Sequence, residues 1–205
     1  MAESFKSIVK RNMWTENQVL RQILGICSSL AVTNLMSNSL VMGLGLVFAT
    51  TLSSLTLSLL RNYIPRRIRM IIQVLIISFF VILVDIFIKA TMPTISKALG
   101  PYVGLIITNC IIMGRLEAYA AKNPPIPSML DGLFAGLGYT AVLLVIATIR
   151  EYIGFGTLFG IDLNFLGFET WTIMVMPPAA FFLIAVLIWI TSNMLSKSKT
   201  GSGKK

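Results

Sequence analysis

The chain has 205 residues, 56% of them hydrophobic and only 12% charged, with a net charge of +9 and no histidine. A soluble domain carries roughly 25% charged residues, so this composition, with a mean hydropathy of +0.83, excludes an ordinary soluble domain and places the chain in a bilayer. Without histidine there is no imidazole metal ligand, no His-ligated haem and no Ser/His or Cys/His catalytic pair, and two cysteines make no disulfide framework of the secreted kind.

The first segment, residues 1–18, is polar and amphipathic, with no apolar core or small-residue cleavage site, and reads as a cytoplasmic stretch rather than a signal peptide. A full membrane crossing needs about 20 apolar residues. Between Arg21 and Arg61 lie 39 uncharged residues, too few for two full helices and a turn. The division is a short helix near Ile23 to Val32, a turn over Thr33 to Asn38, and a full helix from Leu40 to Leu60. A third helix follows from Ile71 to Ala90. Gly100-Pro101 and Arg115 then bracket 13 residues, Tyr102 to Gly114, again about half a span. A fifth helix covers Leu133 to Thr148. A sixth runs from Pro177 to Leu195, its two prolines suited to a first turn that needs no N–H donors. The Gly/Ser/Lys-rich tail, residues 196–205, is expected to be disordered.

The order short, full, full, short, full, full predicts an all-α membrane protein: six transmembrane helices as two inverted three-helix repeats, residues 19–90 and 101–195, within a domain over 19–195. Short segments at matching positions of two halves are the expected pointer to a site near the bilayer midplane. With the N-terminus inside, the inner side collects Lys6, Lys10, Arg11, Arg21, Arg61, Arg66, Arg67, Arg69, Arg115, Lys122, Lys197, Lys199, Lys204 and Lys205, against Lys89, Lys97 and Arg150 outside. That bias predicts both termini in the cytoplasm. It also accounts for the positive charge by basic loops and membrane lipid, with no nucleic-acid partner.

Cys27 lies in the first short segment and Cys110 in the second, among small or polar neighbours: Gly25, Ser28 and Ser29 beside one, Thr108 and Asn109 beside the other. A free cysteine is often a small buried hydrophobe; two at matching positions also suit a joint metal site. Soft thiolates favour iron or iron–sulfur, and such a cluster usually needs four. Two thiols therefore predict an incomplete site finished by a partner.

Leu24 to Thr33 and Gly104 to Ala118 resemble the two signature segments of the small membrane subunits of the sodium-pumping NADH:quinone reductase and its relative, the Rnf complex. Further matches are Arg61 to Pro65, Ile126 to Gly132, Arg150-Glu151 and Leu158 to Gly160; Ile71 to Gln73 and Val84-Asp85 resemble the D-type subunits of the sodium pump. The resemblance implies a multi-pass subunit of the bacterial inner membrane that pairs with a homologous E-type subunit in a six-subunit complex. Cys27 and Cys110 would hold a [2Fe–2S] cluster shared with two cysteines of that homologue. Flavins and NADH would bind other subunits, electrons would end on ubiquinone, and the chain alone would catalyse nothing. The alternatives are a subunit of the Rnf ferredoxin:NAD⁺ oxidoreductase, and a redox-free secondary transporter with inverted repeats, which explains the topology equally well.

Asp85 and Asp131 are the acids within or beside the spans, and an ionisable group in a membrane is a functional hypothesis by default; the resemblance links matching acids to the passage of Na⁺. Each has a plainer role available: Asp85 pairs with Lys89 four residues on, and Asp131 caps the fifth helix. Glu117 is expected to form a solvated or interfacial pair with Arg115. Gly132 and Gly136 predict close helix packing, and Gly154, Gly156 and Gly160 follow no strand, so they make no phosphate loop.

Overall fold

The computed structural model describes residues 22, 24–33, 35–65, 67–91, 100, 102–155, 157–158, 161–162 and 176–202. The amphipathic segment at residues 1–18, Lys97 and residues 203–205 lie outside them. Helix α1 is Ile26–Val32, α2 Met36–Leu60 and α3 Arg69–Thr91. The fourth span, Tyr102–Ala120, is built in pieces: a first helical stretch, a break at Thr108-Asn109, α4 over Cys110–Arg115, and a π-helical turn, Leu116–Ala120. Then come α5, Pro125–Phe155, and α6, Pro177–Ser202. Among the described residues, the one departure from an all-helical chain is a two-residue antiparallel pair, β1 (Thr157–Leu158) with β2 (Ile161–Asp162), directly after α5.

Among the described residues, four helices are long and apolar enough to cross a membrane, and a shorter apolar helix covers Pro178–Asn193. At 1.5 Å per residue, the 25 residues of α2 reach about 37 Å, more than the roughly 30 Å hydrocarbon core. The outer face of α3 is a column of exposed apolar side chains, among them Ile71, Leu75, Phe79, Ile82, Ile86 and Phe87. That face suits acyl chains, not water.

The bundle is organised around α2 and α5. In a bilayer the lipid tails are as apolar as leucine, so helices associate by close van der Waals fit, and small residues permit it. A Cβ on Gly132 would stand 2.7 Å from Ser54 Oγ, one on Gly136 would stand 3.0 Å from Val47 Cα, and one on Gly43 would collide with Thr140. As the position rises along α2 it falls along α5, so these two helices run antiparallel. The expected Gly132/Gly136 packing face is thus present, and Gly43 extends it from the other side. Gly136→Leu should destabilise the fold by about 1–3 kcal/mol, read as a lower melting temperature of the detergent-solubilised protein. Hydroxyls along the same helices are satisfied by carbonyls one turn back: Thr51 on Val47 O (2.6 Å), Thr56 on Leu52 O (2.8 Å) and Thr140 on Gly136 O (2.9 Å). No water is needed for them.

Two ends of the bundle can be told apart by contact. At one, Arg61 donates to Lys122 O, Arg69 meets Glu117 and Arg115 meets Asp131; this basic end gathers the close of α2, the start of α3, the close of the fourth span and the start of α5. At the other, Glu151 near the close of α5 accepts the N–H of Met36, the first residue of α2 (2.7 Å). Helix α1 leads into this second end, whereas α4 leads into the basic one.

Several boundaries differ from expectation for physical reasons. Helix α1 starts at Ile26, not Ile23, because Gly25 takes φ +80°. The following turn is shorter, since Glu151 caps α2 at Met36. Helix α5 covers 31 residues rather than the shorter apolar run of the sequence, because Asp131, Arg150 and Glu151 are inside the bundle, each 2% exposed or less. Helix α6 continues past Leu195, as Ser, Lys and Thr are tolerated in a helix end.

Candidate functional site

The two helix breaks meet. Gly25 and Asn109 are the N-cap residues of α1 and α4, and the N–H of Gly25 donates to Cys110 Sγ at 2.9 Å. Cys110 is the first residue of α4 and Cys27 the second residue of α1. Asn109 caps α4 by accepting the Ile111 N–H on Oδ1 (3.0 Å) and gives its Nδ2 to Ser28 Oγ (3.1 Å). One side chain thus terminates one half-helix and ties it to the other.

Beneath the two cysteines lies Tyr139 of α5, 1% exposed. Its hydroxyl is 2.5 Å from Ser28 Oγ, where either atom can donate, and 3.3 Å from Gly25 O, which it shares as an acceptor with Ser28. Ser28 and Ser29 also donate to Gly25 O, at 3.2 and 2.8 Å. These hydroxyls are all buried. The thiols are not: Cys27 is exposed and Cys110 half-exposed, and both are free. Two free, accessible thiols on neighbouring half-helix starts suit half of a four-thiolate centre, with the remaining ligands coming from outside. Among the described residues no three His, Cys, Asp or Glu side chains converge.

The two candidate acids are apart. Asp85 accepts from Lys89 Nζ at 2.6 Å on α3, the plainer pairing anticipated for it. Asp131, 1% exposed, accepts from Arg115 Nη2 at 2.8 Å; it lies inside α5, so it caps nothing. The expected Arg115–Glu117 pair is corrected accordingly. Arg115 turns inward to Asp131, while Glu117 accepts from Arg69 (2.9 Å) and from Gln73 Nε2 (2.8 Å). The π turn explains the split, since the wider turn carries Glu117 to the α3 side. Gln73 Oε1 and Ser53 Oγ are buried with no protein hydrogen-bond partner among the described residues.

Sequence reasoning misses Tyr139 and the Arg150-Glu151 pair as site elements. The signal for Tyr139 is a single phenol in an otherwise apolar span, where a buried hydroxyl demands a partner. Arg150, counted from the sequence with the outer-side charges, is 2% exposed and donates to Thr33 Oγ1 at 2.7 Å and Met176 O at 3.5 Å. With Glu151 it clamps the α1–α2 turn.

The family model described as Rnf-Nqr subunit, membrane protein, matches residues 5–188. The D-type subunit of the Na⁺-translocating NADH-quinone reductase of Chlamydia felis is 48% identical over 203 residues, covering 94% of this chain and 95% of its own. Its counterpart in Chlamydia trachomatis serovar D is 49% identical over 198 residues, 92% of each chain. That of Shewanella baltica is 46% identical over 194 residues, again 92% of each.

Proposed function

The chain belongs to the Rnf-Nqr family of membrane subunits, and on that premise we propose that it serves as the D-type subunit of a Na⁺-translocating NADH:quinone reductase. Within that complex, Cys27 and Cys110 are assigned as ligands of a [2Fe–2S] cluster completed by two thiolates of a homologous subunit. When bound, the cluster supplies one-electron transfer. NADH, flavins and ubiquinone belong to other subunits, and Na⁺ is the ion moved. The relatives' names favour this complex over the Rnf oxidoreductase, and the meeting of the two cysteine-bearing half-helix starts favours it over a redox-free transporter.

The single observation carrying the assignment is the Gly25 N–H to Cys110 Sγ bond of 2.9 Å. It brings together two half-helix starts 85 residues apart in sequence. The residues around it act in distinct ways. Asn109 and Ser28 fix the separation of the two loops. The Gly25 N–H faces the Cys110 sulfur, and hydrogen bonds of this kind tune a cluster's potential. The exposed side of Cys27 leaves room for a partner chain.

An inverted pair of three-helix repeats, residues 19–90 and 101–195, accounts for α1 and α4 starting together and leading to opposite ends, and for the antiparallel course of α2 and α5. The end bearing Arg61, Arg67, Arg69, Arg115 and Lys122 is assigned to the cytoplasm by the positive-inside rule, with both termini there. Asp131 then lies near ion entry and Asp85 toward exit. Each is engaged by a cation, so a passing Na⁺ must compete with Arg115 or Lys89.

The test is iron and acid-labile sulfide in the detergent-purified complex, comparing wild type with Cys27→Ser and Cys110→Ser. Each substitution should remove about two irons and slow NADH-to-quinone transfer while the other centres persist. Unchanged iron and unchanged transfer in both variants would make the cysteines packing residues.

A further inference from the structure

Tyr139 has no part in ligating iron, yet it is among the largest fully buried side chains, placed under both cysteine loops. Its hydroxyl reaches three groups at the start of α1: Ser28 Oγ at 2.5 Å, Ser29 Oγ at 3.5 Å and Gly25 O at 3.3 Å. Ser28 Oγ in turn accepts from Asn109 Nδ2, the cap of α4. A phenol on a third helix thus joins the starts of two half-helices. The ring matters too. A Cβ on Gly25 would stand 3.0 Å from Tyr139 Cε2, so the ring forms the floor against which Gly25 is seated.

Resting on the cluster assignment above, we propose that Tyr139 is a positioning residue for the redox centre: by holding the Gly25 carbonyl and the Ser28–Asn109 bridge, it aims the Gly25 N–H at Cys110 Sγ and so sets the reduction potential at that sulfur. The geometry is specific. Gly25 has φ +80°, a conformation that glycine enters and leaves at little steric cost. Nothing intrinsic to the residue holds that conformation, so Gly25 is seated by its surroundings: bonds to its carbonyl on one side and the Tyr139 ring packed against its Cα on the other. The carbonyl takes the Ser29 N–H and three side-chain hydroxyls, and among the described residues Tyr139 provides the only one of these that comes from outside α1. An N–H donated to a ligating sulfur favours the more negative, reduced form of a cluster. Loosening that N–H therefore lowers the potential without removing a ligand.

The experiment is a redox titration of the assembled complex followed by electron paramagnetic resonance, with iron content measured in parallel, for wild type, Tyr139→Phe and Ser28→Ala. Tyr139→Phe keeps the ring and loses the hydroxyl. The expected result is full iron content, a midpoint shifted to lower potential, an altered spectrum, and electron transfer to quinone about tenfold slower. Ser28→Ala breaks the bridge to Asn109 and removes one of the bonds to Gly25 O but leaves the Tyr139 bond to that carbonyl, so its shift should be smaller. A spectrum and midpoint in Tyr139→Phe superimposable on wild type would overturn the proposal. So would lower iron occupancy with an unmoved midpoint in the centres that remain, which marks a residue that merely packs. Should Tyr139→Phe fail to assemble, Ser28→Ala decides alone, and an unmoved midpoint there overturns it. If the wild-type complex shows no signal dependent on Cys27 and Cys110, the cluster assignment fails first. If that signal is present and insensitive to Tyr139, only the positioning role fails.

Discussion

Arg115→Met alone is expected to cost about 3–5 kcal/mol of stability, whereas Arg115→Met with Asp131→Leu should recover most of it. The two side chains are 5% and 2% exposed and share a hydrogen-bonded contact of 2.8 Å. Taking the guanidinium away leaves a carboxylate facing a site built for a pair, in surroundings where an unmatched charge is expensive. Taking both away substitutes apolar volume that the bundle tolerates. The measurement is the melting temperature and yield of the detergent-solubilised complex for the two single variants and the double one. A double variant as damaged as the worse single one would sink the ion-pair account. The same set addresses ion passage. If Asp131 lies on the route of Na⁺, the double variant should assemble yet lose sodium-dependent turnover; if the pair serves stability alone, turnover returns with assembly.

That pair also shows where sequence legibility stops. Hydropathy locates the helix centres, because continuous apolar runs such as Ile71 to Ala90 have no stable place but the bilayer. It finds their ends only where the flanking charges are solvated, as at Arg61 and Arg69. In the sequence, Asp131, Arg150 and Glu151 look like markers of the membrane boundary, which cuts α5 to about half its length. In the fold each is satisfied by a residue remote in sequence: Arg115, Thr33 and the N–H of Met36. A charge neutralised inside a bundle looks, in one dimension, like a charge in water.

The candidate site is legible in a similar, partial way. Two short segments, each with a cysteine beside small and polar residues, are enough to expect the two loops to meet, as the Gly25 N–H on Cys110 Sγ shows they do. The hydroxyl and amide neighbours Ser28, Ser29 and Asn109 also prove to be contacts. Hidden from view is what those neighbours bond to, since Tyr139 comes from a helix outside both segments. The position of each sulfur within its helix is hidden as well. It depends on Gly25 and Asn109 starting the helices later than apolar content alone implies, by backbone conformation at Gly25 and by a side-chain cap at Asn109.

Gly25→Ala should then do disproportionate harm for one methyl group. At φ +80° an L side chain costs roughly 1–2 kcal/mol in the left-handed conformation. The added carbon would also collide with Ile111, which is fully buried, and crowd Tyr139 on the other side; overpacking of this kind costs about 1–3 kcal/mol. Both neighbours are buried, so relief comes from moving the Gly25 backbone, and with it the N–H that meets Cys110 Sγ. The expected outcome is a lower melting temperature together with loss or distortion of the cluster signal. Adding Ile111→Ala separates the two costs. It removes the collision but leaves the backbone strain, so stability should recover in part while the signal stays altered. Wild-type melting and an unchanged signal in Gly25→Ala would mean that the loop accepts a side chain and that the two half-helices are held together by something other than this contact.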